Sequence, residues 1–251
     1  RMHTTEPDPI QRQSPEPATV LCVDDDSEYL ALIKTAFDER ADLFVLTETD
    51  SDAALDRLDG VDCLVSADHD ILDAVRARVP DLPFVLHTSS AVETFGDTLL
   101  GTERADYLEK GWSESHMTLL ARRVRSLVAQ QRLATTARRY GAALETSREA
   151  TLIVDADGTV AFANERLASV FADDHEALTG RAWDALFTDE SVVHLRQEAL
   201  PVAADGWSWT GSTTLLTWAG ETDCPRTTLS RLDDGSLIFT FHELEHTGEA
   251  E

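Results

Sequence analysis

The chain has 251 residues, which is enough for one large domain or for two ordinary ones that each bury a core. Its 47 acidic residues outnumber its 21 basic residues, and the formal net charge is -26. A surface of this sign repels nucleic-acid phosphates and anionic lipids, so we expect no direct binding to nucleic acid and no membrane association.

The first half of the chain alternates between two kinds of pattern. Residues 1–17 hold four of the eight prolines and show no apolar period, which predicts a disordered tail. From 18 to 128, segments of helical spacing, VETFGDTLL among them, separate five short apolar runs: VLCV, LFVLTE, DCLVS, FVLHT and ADYLEK. Because parallel strands need crossover connections, this alternation predicts an α/β domain with a doubly wound, five-stranded parallel sheet.

Three of the predicted strands end on polar residues. VLCV runs directly into Asp24, Asp25 and Asp26, FVLHT ends on Thr88, and ADYLEK ends on Lys110, one of two lysines in the chain. Ligands of parallel sheets bind beyond the carboxyl ends of the strands, where these side chains are expected to meet. Clustered carboxylates at such an edge indicate a cation site.

This pattern resembles the receiver domain of two-component response regulators, which has a flavodoxin-like fold. In that family an acid pair and an acceptor aspartate hold Mg²⁺, while a lysine and a Thr or Ser hydroxyl bind the phosphoryl group. The resemblance makes Asp24 and Asp25 the acid pair and metal ligands, Thr88 the switch hydroxyl and Lys110 the ammonium group. The segment VDCLVSAD places Ala67 at the acceptor position. The resemblance therefore implies a degenerate receiver without phosphoacceptor chemistry.

Asp68 is the alternative phosphoacceptor in this segment. Consecutive residues of a strand face opposite sides, so a shift of one position turns the Asp68 carboxylate away from the pocket unless the loop re-aims it. The presence of Asp24 and Lys110 also has two interpretations. They form either a residual Mg²⁺ site or an ion pair that holds the loops, and the sequence leaves both open.

A long helical stretch follows, SESHMTLLARRVRSLVAQQRLATTARRYGAALETS, and residues 129–142 are interpreted as a linker. One interpretation is that the last receiver helix simply continues into this linker. The other is a parallel two-stranded coiled coil, because a heptad-like seam is present. Its residues are Leu120, Val124, Leu127, Gln131 and Ala134. We favour the coiled coil and expect a homodimer.

Residues 143–246 follow a different pattern, with antiparallel hairpins around a helical insert. TLIVDADGTVAFAN predicts two strands joined by an Asp-Gly turn and a helix capped by Asn164. Three strand-like runs close this α+β domain before a tail at 247–251: WSWTGSTTLLTW, CPRTTLSRL and SLIFTFHEL. This half resembles a PAS sensor domain, which implies a ligand pocket with Phe162, Trp183, Phe187 and Trp209 as candidate lining residues. Ordinary core packing of these aromatics is the alternative.

Both resemblances together predict a non-enzymatic signalling protein, of the type found in salt-loving archaea. It would act through contacts with a histidine kinase or a downstream regulator. Three isolated cysteines, Cys22, Cys63 and Cys224, are read as reduced core thiols of a cytoplasmic protein. Two other functions stay open. One is an active phosphorelay response regulator using Asp68 and Mg²⁺, and the other is a transcription regulator acting through a DNA-binding partner.

Overall fold

The computed structural model describes residues 16–89, 104–171, 175–217, 220–242 and 244. The chain divides into two compact units, with the boundary between Thr136 and Ala137. The predicted helix VETFGDTLL and both predicted tails, except residues 16 and 17, lie outside the described residues. None of the helices in the described part of the chain combines the length and the apolarity that a membrane span requires.

The first unit contains the predicted parallel sheet, with strand order β2-β1-β3-β4-β5. Its strands are β1 (Ala18–Val23), β2 (Leu43–Glu48), β3 (Cys63–Ser66), β4 (Phe84–Leu86) and β5 (Ala105–Tyr107). The described helices are α1 (Ser27–Asp38), α2 (Ser51–Leu55), α3 (Ile71–Arg78) and α4 (Glu114–Glu145), the last of which runs across the boundary between the units. The predicted α/β fold is confirmed.

Alternation along each strand divides the core of this unit into two clusters, one on each face of the sheet. Cys22 and Val65 face one cluster, with side chains from α1 and α4, whereas Leu21 and Leu64 face the other, with side chains from α2 and α3. None of the three cysteines forms a disulfide, and all three are buried. Burial raises the pKa of Cys22 to about 12, so this thiol stays protonated. The prediction of core thiols is confirmed.

Helix α4 packs its first half into this core, which corrects the predicted coiled-coil seam. The buried positions are Met117, Leu120, Ala121, Val124 and Val128. Leu120 and Val124 are fully buried within their own unit, so they are not available to a second helix. Over three turns, a heptad seam and the core-facing side of an ordinary helix have nearly the same spacing. The sequence pattern therefore could not distinguish a coiled-coil seam from a helix face that packs on its own domain. Leu133 and Tyr140, farther along α4, are exposed.

The second unit is an α+β domain around an antiparallel sheet of order β7-β6-β10-β9-β8. Its strands are β6 (Ala150–Val154), β7 (Val160–Ala163), β8 (Trp209–Thr217), β9 (Gly220–Arg231) and β10 (Leu237–His242). Its helices are α5 (Glu165–Phe171), α6 (His175–Leu178), α7 (Asp189–His194) and α8 (Leu200–Ala204), with a 3-10 turn at Trp183–Leu186 and a π-helical stretch at Leu195–Ala199. The predicted β6–β7 hairpin is confirmed, and Gly158 adopts a φ of 90° in its turn.

Asn164, the only asparagine of the chain, is fully buried and satisfies all of its side-chain hydrogen-bonding capacity. Its Oδ1 accepts from the N–H groups of Thr151 and Leu167, at 2.9 and 3.0 Å. Its Nδ2 donates to the carbonyls of Leu144 and Glu149, at 3.1 and 2.9 Å. The predicted cap of the helix after β7 is confirmed, and the same side chain also binds the last turn of α4 to strand β6.

Candidate functional site

The carboxyl ends of the parallel strands bring the predicted receiver-like residues to one edge of the first sheet. Asp24 directly follows β1, and Ala67 directly follows β3. The N–H of Ala67 donates to the carbonyl of Val23 at 3.0 Å, so Ala67 extends the strand pairing and lies beside Asp24. Beyond β4 and β5, the N–H of Lys110 donates to the carbonyl of Thr88 at 3.0 Å. The expected meeting of strand ends is therefore present in the structure.

Asp24 and Lys110 form an ion pair at this edge. The ammonium nitrogen lies 2.6 Å from one carboxylate oxygen and 2.8 Å from the other. The Asp24 side chain is 3% exposed and that of Lys110 is 16% exposed. The Lys110 ammonium also lies 5.1 Å from the centre of the Tyr29 ring, and Asp24 accepts a further bond from the N–H of Asp26 at 3.0 Å. The ion pair, one of the two interpretations left open, is therefore present in the structure, and the residual Mg²⁺ site stays a prediction.

Residues 67 and 68 point to opposite faces of the sheet. Ala67 continues the face of Cys63 and Val65, which is the face of α1 and α4. The Asp68 carboxylate instead accepts from the Ser51 hydroxyl at the start of α2, at 2.9 Å, and from the N–H of Asp70, also at 2.9 Å. Its backbone is fixed by the Ser66 hydroxyl, which accepts from the Asp68 N–H at 3.0 Å. The loop therefore does not re-aim Asp68 toward Lys110.

Of the three carboxylates that the receiver resemblance sets around a magnesium ion, this edge supplies two, Asp24 and Asp25. Mg²⁺ requires a near-octahedral shell of oxygens with carboxylates among them. Ala67 offers a methyl group, and Asp24 is already bound to an ammonium group. Of the three expected ligand positions, 24, 25 and 67, only position 25 has a carboxylate that is exposed to solvent.

A second cluster at the same edge was not predicted from the sequence. The fully buried His87, which directly precedes Thr88, contacts the Tyr29 hydroxyl through Nε2 at 3.3 Å and His116 Nε2 at 3.0 Å. The Tyr29 hydroxyl donates to the carbonyl of Gly111 at 2.9 Å. Tyr29 lies on α1 and His116 on α4, so these bonds join both helices to the end of β4. The sequence signal for this cluster was the histidine in FVLHT, at the end of a predicted strand.

Burial lowers the pKa of His87 to about 3, and the nearby His116 and Lys110 act in the same direction. Burial also lowers the pKa of His116. Two facing imidazoles share one proton, so one ring nitrogen donates and the other accepts. His87 is therefore neutral at physiological pH and acts as a hydrogen-bonding link rather than as a charge.

In the second unit, two of the predicted pocket aromatics belong to a packed core. Trp183 and Phe187 have ring centres 5.8 Å apart, and both contact Phe239 at 5.9 and 5.6 Å. Trp209 instead packs edge-on against His194 at 5.5 Å. Phe162 lies half-buried on the outer strand β7. The contacts of Trp183 and Phe187 correspond to aromatic core packing, the alternative set beside the ligand pocket.

A cavity of about 480 Å³ lies between α7 and strands β8 and β9. It is lined by Thr188, Glu190, Ser191, His194, Ser212, Thr213, Thr214, Asp223 and Cys224. The Thr214 hydroxyl donates to Asp223 at 2.8 Å, and the Thr214 N–H donates to the Ser191 hydroxyl, also at 2.8 Å. This lining is polar and includes two carboxylates, unlike the aromatic pocket predicted from the sequence.

Comparisons with known proteins support the assignment of the second unit. A family model described as the PAS fold matches residues 144–251. Residues 144–251 carry a PAS domain. Together with the receiver-like fold of the first unit, this domain supports the prediction of a signal-transduction protein. No curated protein matches the chain significantly.

Several solved structures are similar to one half of the chain. A signal receiver domain from a Pseudomonas fluorescens HD domain-containing protein is 18% identical, with a TM-score of 0.43, and the match covers 49% of this chain and 96% of that one. A receiver protein from Sinorhizobium medicae is 19% identical, with a TM-score of 0.39 and coverages of 47% and 99%. The PAS domain of an HTR-like protein from Haloarcula marismortui is 20% identical, with a TM-score of 0.35 and coverages of 43% and 97%.

Proposed function

We propose that the first unit is a receiver-like domain that does not accept phosphate, in a cytoplasmic protein that signals by contacts with other proteins. The observation that carries this proposal is the side chain at position 67. A methyl group has no lone pair with which to attack phosphorus, and it lies beside an Asp24 carboxylate that is already paired with Lys110. The PAS domain would serve as the sensor or interaction domain.

The direct test is phosphorylation of the full chain by a small-molecule phosphodonor with Mg²⁺, followed by intact-mass measurement. We expect no gain of a phosphoryl group. A gain that disappears in Asp68→Ala would overturn the proposal in favour of the phosphorelay alternative. The orientation of the Asp68 carboxylate toward Ser51 supports the expectation that no phosphoryl group is gained.

The Ala67→Asp variant is the matched positive control for this experiment. It places a carboxylate beside Asp24 and Lys110 without changing the other residues of the edge. We expect this variant to gain one phosphoryl group, which would show that the missing acceptor is what prevents the reaction in the natural chain. The double variant Ala67→Asp with Lys110→Met should lose that gain, because the ammonium group no longer offsets the phosphoryl charge.

We further propose that α4 transmits the signal and forms the contact of a homodimer. Its first turn is bound to the core of one unit through His116, and its last turn is bound to the PAS sheet through Asn164. Leu133 and Tyr140 are seven residues apart, so they share one helix face, and they are 71% and 69% exposed.

The dimer is tested by the molar mass in solution, measured by light scattering. Leu133→Ser with Tyr140→Ser should convert the dimer to a monomer. Val193→Ser, which changes an exposed apolar residue on α7, is the control and should leave the mass unchanged. A natural chain that is monomeric at high concentration refutes this part of the proposal.

A further inference from the structure

The cavity of about 480 Å³ in the PAS unit lies at an edge of the sheet, because β8 is the last strand in its order. Helix α7 is fixed to this strand by two backbone bonds. The N–H of Thr188 donates to the carbonyl of Thr214 at 3.1 Å, and the N–H of Thr214 donates to the Ser191 hydroxyl at 2.8 Å. The elements that border the cavity are therefore fixed to each other, and its volume is in the usual range of small-ligand sites.

The lining of this cavity carries two carboxylates and no arginine or lysine. Glu190 lies on α7 and Asp223 on β9, where it accepts from the Thr214 hydroxyl at 2.8 Å. Four segments of the PAS unit lie outside the described residues: 172–174, 218–219, 243 and 245–251. Their sequence contains acidic residues but no arginine or lysine. They therefore cannot supply a guanidinium or ammonium group that offsets the two carboxylates.

The basic side chains at and after α7 are paired with other acids. His194, which also lines the cavity, has its Nδ1 3.6 Å from Glu198 Oε1. Arg196 donates to the Asp184 carboxylate at 2.7 Å and lies over the Trp183 ring. The negative charge of Glu190 and Asp223 is therefore directed at the contents of the cavity and at solvent.

A buried hydroxyl group in the same lining has a proton to donate. Ser191 is 7% exposed, and its Oγ accepts from the N–H of Thr214 at 2.8 Å and from the Thr188 hydroxyl at 3.1 Å. Both bonds use lone pairs of Oγ, so the hydroxyl proton needs an acceptor of its own. Within the described part of the chain, no acceptor lies in reach of it. An oxygen atom of a molecule in the cavity would accept this bond.

We propose that this cavity binds a small organic amine that also carries an uncharged oxygen. The ammonium group donates to Glu190 and Asp223, because charge-assisted bonds to carboxylates are the strong ones, and the oxygen accepts from Ser191. A carboxylate on the ligand would be repelled by the same two acids, so amino alcohols fit this lining and amino acids do not. The inference names a ligand class for the proposed sensor role of the PAS domain and rests on it for its meaning in signalling. Binding is measured without phosphoryl transfer, so either proposal can fail without the other.

The test is a titration of the full chain followed by nuclear magnetic resonance, at constant ionic strength, with three probes of similar length. Aminobutanol carries both groups, butanediol lacks the ammonium group, and pentylamine lacks the oxygen. We expect aminobutanol to shift the backbone amide signals of Ser191, Thr213 and Thr214 saturably. Pentylamine should bind at least about threefold more weakly, and butanediol should produce no saturable shift.

Variants of the lining assign the binding to its side chains. Glu190→Gln and Asp223→Asn change exposed carboxylates and should each weaken aminobutanol binding by at least about threefold. Glu221→Gln is the matched control, because it changes an exposed acid of the same strand β9 outside the lining, and it should have an effect of less than about twofold. Ser191→Ala should abolish the preference for aminobutanol over pentylamine. Unchanged amide signals of β6 and β10 verify that each variant is folded.

Three results would overturn the inference. The first is the absence of a saturable shift with aminobutanol. The second is binding of butanediol or pentylamine as tight as that of aminobutanol, because one of the two recognised groups would then contribute nothing. The third is a weakening by Glu190→Gln and Asp223→Asn no greater than that by Glu221→Gln, which would show that the amine responds to general surface charge.

Discussion

Replacing Lys110 with Met tests whether the ion pair holds the edge of the first sheet. Methionine keeps most of the length of the side chain and removes the ammonium group. The Asp24 carboxylate, 3% exposed, then keeps the N–H of Asp26 as its donor among the described residues. Removing one partner of a buried ion pair costs about 3–5 kcal/mol, because the remaining charge stays buried. Loss of the Lys110–Tyr29 contact adds about 0.5–1 kcal/mol.

The opposite replacement, Asp24→Asn, should cost less. Lys110 is 16% exposed and retains the amide oxygen of the new side chain as an acceptor. We expect a loss of about 1–3 kcal/mol, the usual range for a weakened buried polar contact. The double variant should lose less than the sum of the two single variants, because the second replacement removes a charge that the first left unpaired.

Hydrogen-exchange mass spectrometry of the full chain measures these losses, since peptides from each unit report its own opening free energy. Peptides containing β1 and β5 should show the change, whereas peptides containing β10 should not. Lys34→Met is the matched control, because Lys34 is the second lysine and pairs at 3.5 Å with Asp38 while both side chains are about half exposed. It should cost less than about 0.5 kcal/mol. A loss below about 1 kcal/mol in Lys110→Met, or strict additivity in the double variant, refutes the reasoning.

Two further replacements probe the other buried polar groups. Asn164→Ala removes a helix cap and leaves buried backbone groups without partners. Chemical denaturation should therefore show that the free energy of unfolding of the PAS unit falls by about 2–4 kcal/mol. A fall of less than about 1 kcal/mol contradicts the assigned bonds. The pKa of His87 is about 3 in the folded chain, whereas in the unfolded chain it has the usual value of about 6.5. Between these two pH values the unfolded state binds one more proton than the folded state. The free energy of unfolding should therefore fall as the pH drops from about 6.5 toward 3, by at most about 1.4 kcal/mol per pH unit. His87→Gln should reduce that slope in acid titrations followed by circular dichroism, whereas the exposed His69→Gln should not.

Local patterns in the sequence were sufficient to predict the sheets and the edge of the receiver-like unit. Apolar runs that end on polar residues fix both the strands and the end at which their ligands collect, and so Asp24 and Lys110 meet although they are 86 residues apart. The period-2 rule also indicated the direction of Asp68, but not its partner Ser51, because that contact depends on how the loop after β3 meets α2.

Contacts between elements that are distant in the sequence could not be predicted, because they also depend on how the elements pack together. The bond between His87 and His116 depends on the packing of α4 against β4, which no local pattern encodes. The same packing explains the error in the predicted seam, since Leu120 and Val124 bury an apolar stripe on their own sheet. An apolar stripe indicates that one face of a helix is buried, but it does not identify the element that packs against that face.

Asp24 and Lys110 are not, by themselves, evidence for phosphoryl chemistry. A buried ion pair contributes little net stability, but breaking it from one side is costly, so either residue is hard to replace alone whatever the pair once served. Ala67 is under no such constraint: a third carboxylate beside Asp24 and Asp25 would add like-charge repulsion, which a methyl group avoids. The cost of breaking the ion pair from one side is therefore enough to explain why Asp24 and Lys110 occur together. The proposed function in protein contacts is compatible with this pair because it requires no phosphoryl chemistry from it.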